Sequence, residues 1–256
     1  MKSLLLATAA VAVFAAAPAL AQESVGSIGA RYVQSEVDAS GLTADGDGLA
    51  IDAAFAVPVT GDWTVTVDGA FAYALDGAPN EDDSSLNGRI HASRNFGNVR
   101  IGGFAGGSEA ADEQLWSFGA QAQAYLNNLT VSGSLAYETI EGADADIWSL
   151  AGDAAYFVNP KFRVNAGLGW TTIDAGGLDT DAVSANVGGE YLIGLPGMSV
   201  TANYTHGELD DADLSVDTLM LGVRFSFGGD DLQTRQRSGA DLGRTVAGIG
   251  ALAGAF

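Results

Sequence analysis

From Asp217 to Phe227 the chain alternates strictly between two kinds of residue. Leu219, Leu221, Val223, Phe225 and Phe227 share one face of an extended strand. Thr218, Met220, Gly222, Arg224 and Ser226 share the other. Side chains of a strand project with period two, so this segment carries a continuous apolar face. In water such a face needs a core; in a bilayer it needs only lipid. The pattern recurs along the chain, and after residue 21 there is no run of about 18 to 20 uncharged apolar residues. A spanning helix is therefore excluded there. The alternation leaves two all-β solutions, an antiparallel up-and-down transmembrane barrel and an exported soluble β-sandwich.

The first 21 residues read as an export signal. Lys2 gives the positive start, Leu4 to Ala17 the apolar run, and Ala19-Leu20-Ala21 the small-x-small cleavage site before Gln22. The alternative, a membrane anchor, needs a longer run. Residues 22–227 then form the barrel and 228–256 a C-terminal extension.

About twelve strands of roughly 9 to 12 residues, the length a tilted strand needs to cross the apolar layer, fall near 25–35, 48–59, 63–75, 86–95, 99–107, 115–126, 129–140, 146–158, 162–173, 182–193, 198–206 and 217–227. Thr60-Gly61-Asp62, Phe96-Gly97-Asn98, Asn127-Asn128, Asn159-Pro160-Lys161 and Gly194-Leu195-Pro196-Gly197 read as tight turns. Between them lie acidic stretches, Glu36–Asp47, Asp76–Ser85, Glu109–Gln114, Glu141–Ala145, Asp174–Asp181 and Gly207–Ser215, expected as longer loops on the opposite rim. Aromatic residues gather near strand ends. Trp63, Tyr156, Phe162, Tyr191, Phe225 and Phe227 mark the turn end, and Tyr73, Trp116, Tyr137, Trp148, Trp170 and Tyr204 the loop end. Two such girdles suit the two water–lipid boundaries, whereas a sandwich places its large aromatics mid-strand.

With its signal peptide, amphipathic hairpins through 25–227, acidic loops and a last strand ending Phe225-Ser226-Phe227, the chain resembles small Gram-negative outer-membrane porins. In strand number it is similar to those of the oligogalacturonate type. The resemblance is architectural and implies an outer-membrane location and contact with lipid and lipopolysaccharide. Barrels of this kind usually end at the terminal aromatic; here the chain runs on from Gly228 to Phe256.

The charged strand residues sort to the polar face: Arg31, Asp52, Asp68, Arg89, Arg100, Glu138, Asp153, Arg163, Glu190 and Arg224, with His91 beside Arg89. An Arg or Lys facing lipid costs about 2 to 4 kcal/mol near the midplane, so the sorting supports this register. One reading is a water-filled lumen lined by both signs, passing small hydrophilic solutes or ions; the other is ion pairs bracing the inner wall. Most other inward residues are small, and barrels wider than about eight strands leave interior space. His91 and His206 lack a nucleophile partner, and there is no Gly-x-Ser-x-Gly element, His-Glu-x-x-His helix or phosphate-binding loop. No catalytic residue, metal site or cofactor is expected. A net charge of −21 argues against nucleic acid. The loop carboxylates match no Ca²⁺-loop spacing, though divalent ions could bridge them to lipopolysaccharide phosphates. Porins often form trimers, and no motif here demands one.

The extension is distinct in composition. Asp230-Asp231 leads to Arg235, Arg237 and Arg244 and then a Gly/Ala-rich apolar end. It reads either as a disordered periplasmic tail or as a plug whose Arg235, Arg237 and Arg244 enter the lumen and pair with carboxylates such as Asp153 and Glu190. A closed, non-conducting structural or adhesive barrel is the corresponding alternative to a channel.

Overall fold

The computed structural model describes residues 24–76, 84–110, 113–140, 145–176, 178–209 and 213–245. The export signal, the end of the extension from Val246, and the centres of most of the acidic stretches lie outside the described residues.

Twelve strands form one closed antiparallel barrel: β1 (Val25–Ala39), β2 (Leu42–Pro58), β3 (Trp63–Asp76), β4 (Ser84–Phe96), β5 (Val99–Ala110), β6 (Glu113–Leu126), β7 (Leu129–Ile140), β8 (Ala145–Asn159), β9 (Phe162–Ala175), β10 (Leu178–Leu192), β11 (Met198–Leu209) and β12 (Leu214–Phe227). Each pairs with its sequence neighbour, and β1 closes on β12 from Gly26↔Phe227 to Ala39↔Leu214. A closed ladder leaves no backbone edge unpaired, which hydrocarbon requires. The sandwich alternative is thereby set aside.

The faces are inverted relative to a water-soluble protein. Ile28, Ile51, Ile90, Leu150, Leu168 and Val187 point outward and are exposed, while Thr66, His91, Ser93, Thr130, Glu190 and Thr218 point inward and are buried. The outward set forms an apolar surface of the kind a bilayer covers.

Two of the acidic stretches are taken up largely by strand rather than by the long loops expected from sequence. β1 and β2 run on through Glu36–Asp47 and turn only at Ser40-Gly41, both in the left-handed region that a type I′ hairpin turn requires. β9 and β10 likewise absorb most of Asp174–Asp181. The turn rim has connections of similar reach to Ser40-Gly41, such as Gly97-Asn98 and Pro160-Lys161. The physical reason is that beyond the girdles both faces of a strand meet water. Apolar alternation then has nothing to sort against, yet the backbone ladder continues. Girdle tyrosines mark the transition: Tyr32 donates to Asp47 at 2.6 Å, and Tyr137 and Tyr204 donate to Asp146 and Asp217.

Leu221→Arg on the lipid face should lower unfolding free energy by about 2–4 kcal/mol. Asn87→Lys on the inner wall should change it by less than about 1 kcal/mol. Urea unfolding in phospholipid vesicles measures both, and equal losses would contradict the assigned faces.

Candidate functional site

The site is the lumen. The eleven strand residues singled out from sequence all sit on its wall, in three groups plus one separate arginine.

The first group spans β12, β1 and β2. Asp52 accepts from Arg224 at 2.6 Å and lies 3.2 Å from Arg31 Nε. Asp52 and Arg224 lie on either side of Gly29 in the register. A Cβ at Gly29 would approach Asp52 Oδ1 to 2.8 Å and Arg224 Nη2 to 3.0 Å, so the missing side chain lets the pair meet over β1. Arg31 also points one nitrogen at the Met220 sulfur, 3.5 Å away.

The second group lies on β3 to β7. His91 is fully buried, with one ring nitrogen against the Asp68 carboxylate and the other 3.0 Å from Gln121. Its ring stacks at a tilt on Phe104, an inward aromatic that the small-residue pattern did not suggest. Arg89 lies cross-strand from Asp68, and Glu138 is close enough to stabilise its charge. His91 is thus a wall residue with its hydrogen bonds filled.

The third group lies on β8 to β10. Arg163 and Glu190 face each other in register at 3.0 Å, and Ser199 donates to Glu190 at 2.6 Å. Asp153 lies near Arg163 and Asn165. Arg100 stands apart, held by neutral oxygens: Tyr125 and Ser93 at 2.9 Å, and a backbone carbonyl of the extension at 2.8 Å.

That last contact reflects the main feature of the lumen. After Phe227 the chain folds back inside the barrel as α1 (Leu232–Arg235), a π-helical turn (Gln236–Ala240) and a 3₁₀ turn (Leu242–Thr245). Asp231 caps α1 through Thr234 N at 2.7 Å, and Leu232 N donates to Pro160 O on the turn rim. Two small apolar patches inside the polar tube receive the segment. Leu232 packs on Ala155, Phe157 and Leu192, and Ala240 on Val25 and Ala56.

Charge fixes it further. Arg235 makes a two-pronged contact with Glu190, Nη1–Oε1 at 2.8 Å and Nη2–Oε2 at 2.6 Å. This fork geometry is the strong form of an Arg–carboxylate pair. Asp241, a residue not singled out from sequence, lies 2.7 Å from Arg163 and 3.5 Å from Arg235. It is the only acidic residue after Asp231, and its place among three arginines was the available clue. Arg163, Arg235 and Arg244 therefore share Glu190 and Asp241 in one buried network.

Two glycines complete the seat. Gly239 has φ +99°, and a Cβ there would approach Arg100 Nη1 to 2.8 Å; a Cβ at Gly243 would approach the Asp68 carboxylate to 2.5 Å. The Gly239 and Gly243 carbonyls accept from Thr66 (3.0 Å) and Arg89 (3.4 Å).

The expected pairing of the extension is corrected in two respects. Among the described residues no ion pair joins a tail arginine to Asp153. Arg237 pairs with no carboxylate there; its guanidinium lies over the Tyr125 ring, 5.3 Å from the centroid, and donates to Asn127 O at the mouth. Tyr125 and that carbonyl already offer a cation face and an acceptor at the exposed rim, so no buried acid is needed.

Beyond the segment, toward the acidic rim, a vestibule of about 160 Å³ remains. Its wall includes the Arg31–Asp52–Arg224 group, Asn87, Asn186, Asn203 and Thr205, and its floor is Ala240, Asp241, Gly243 and Arg244.

No family model matches the chain, and no curated protein matches it. Solved structures do share its architecture. An outer-membrane channel from Pseudomonas putida F1 is similar with a TM-score of 0.64 at 9% identity, covering 80% of this chain and 95% of that one. The KdgM porin in complex with disordered oligogalacturonate is similar with a TM-score of 0.53 at 11% identity, covering 78% and 99%. KdgM alone gives 0.51 at 10%, covering 77% and 99%. The chain has the fold of outer-membrane β-barrels, and at these identities the likeness is one of fold.

Breaking one side of a buried ion pair costs about 3–5 kcal/mol. Arg235→Ala should therefore release the segment and speed trypsin cleavage after Arg237 and Arg244 by at least about tenfold, read by mass spectrometry on the folded barrel. Unchanged cleavage at both sites would show that the network does not hold the segment.

Proposed function

We propose that the protein is an outer-membrane channel for small hydrophilic solutes, held at rest in a stoppered state by residues 229–245. The observation that carries this reading is the Arg163–Glu190–Arg235–Asp241 network, which joins a polar, vestibule-bearing lumen to a segment crossing its turn-side end. A wall of charges and amides suits a water-filled path. The charges are nearly balanced: Arg31, Arg89, Arg100, Arg163, Arg224, Arg235 and Arg244 face Asp52, Asp68, Glu138, Asp153, Glu190 and Asp241. The net charge of −21 therefore lies mostly outside the lumen. The fold shared with a channel and with a porin solved with oligogalacturonate supports the same reading. Transit needs no chemical step, so the wall residues act through shape and field alone.

A second reading, a permanently closed structural barrel, is favoured by the depth at which Arg235 and Leu232 are buried. Planar-bilayer recording separates the two. The refolded chain lacking residues 1–21 should show rare, brief openings. Removal of residues 230–256, or Arg235→Ala in the full chain, should give stable, salt-dependent steps. Silence from all three, with folding shown by heat-modifiable gel mobility, would overturn the channel and leave the closed barrel.

A further inference from the structure

The vestibule wall formed by β9 to β12 has a repeated construction. Ser184 lies opposite Gly169, Asn186 opposite Gly167, Asn203 opposite Gly188 and Thr201 opposite Gly222. In every case the polar side chain leans into the space that a Cβ on the glycine would take. Such a Cβ would come within 2.6 Å of Ser184 Oγ, 2.6 Å of Asn186 Nδ2 and 3.0 Å of Thr201 Oγ1, and would overlap Asn203 Oδ1. The glycines thus lay a row of amides and hydroxyls flat against the wall and keep the space above it open.

Every arginine lining the vestibule is engaged: Arg31 and Arg224 with Asp52, Arg163 and Arg244 with Glu190 and Asp241. By contrast, among the described residues no hydrogen bond is made by the side chains of Asn186, Asn203, Ser184 or Thr205. Ser184 and Thr205 are only 7% and 6% exposed, and their side chains line the cavity. An anionic solute would find the lining arginines already committed, and of the lining carboxylates only Asp153 makes no ion pair among the described residues. A solute with several neutral hydroxyls matches amides and hydroxyls that both donate and accept. The volume, about 160 Å³, holds on the order of ten waters, which suits a single small molecule. The vestibule lining has no aromatic side chain, so hydrogen bonding rather than stacking would hold it.

We infer that this wall is a binding site for a small, uncharged polyhydroxylated solute such as a polyol or monosaccharide. The inference names the solute class of the proposed channel and rests on that reading for its role, but binding itself requires no transit.

Saturation-transfer NMR on the full folded chain in detergent tests it, with glucose and sorbitol as neutral probes and gluconate and glucosamine as charged ones. The neutral probes should give the stronger, mutually competitive signals. Asn186→Leu with Asn203→Leu should weaken them about tenfold, as expected for the loss of one or two hydrogen bonds. The single variant Gly188→Ala, which pushes Asn203 off the wall, should act in the same direction. Heat-modifiable mobility checks that each variant is folded. Equal or stronger binding of gluconate or glucosamine would overturn the assignment of class. Signals unchanged in all variants, or no signal from either neutral probe, would overturn the site. Failure of conductance with binding intact would remove the channel and leave the site.

Discussion

The structure depends on a solvent that cannot hydrogen-bond. In hydrocarbon every strand N–H and C=O must find a partner in the protein. The β1–β12 pairing supplies the last of these and turns a sheet with two edges into a tube with none. Closure then dictates where each residue type goes. The outer face meets lipid and takes Leu, Val, Ile and aromatic rings; the inner face takes what lipid excludes. That is why arginines and carboxylates fill the interior of a protein whose exterior is apolar across the membrane.

Charges enclosed by a narrow tube are far less hydrated than charges at a surface, so they must answer one another. Register does this locally, placing Arg163 across from Glu190, and Asp52 and Arg224 on either side of Gly29. The folded-back segment does it over a longer range. Arg235 and Asp241 insert as a complementary pair between Arg163 and Glu190, and each has its partner only when the segment is seated in one position. Leu232 and Ala240, on their apolar patches, set the same position independently. Above the seated segment lies the vestibule, where most wall groups not used for bracing are amides and hydroxyls.

Sequence was most legible where lipid imposes the strictest rule. Alternation in β3, β7, β9 and β12 gave their spans and faces, because a misplaced charge there is costly. It was least legible above the girdles. Glu36, Asp38, Asp45 and Asp47 sit in strands, yet their composition is that of a loop, because both faces are wet. The inward charges could be named, but their grouping could not, since Asp52–Arg224 is a contact across an intervening strand. The extension gave a partial signal. Arg235 and Arg244 do reach Glu190. Asp241 was invisible as a partner because its role exists only in the fold, and Val25, Ala56, Ala155 and Phe157 looked like ordinary strand residues.

In the channel proposed above, the segment seated in the lumen is the barrier to flow. The chain has no cysteine, so a pair introduced at Ala56 and Ala240, which touch in one apolar cluster, would be unique. The measurement is bilayer current from that full-length variant, before and after bridging the pair with a short bis-thiol reagent or leaving it reduced. If the seated segment blocks flow, bridging forms readily, abolishes the openings of the reduced protein, and is reversed when a cleavable bridge is cut. Complete bridging with unchanged current would contradict it, as would a pair that cannot be bridged in the folded barrel.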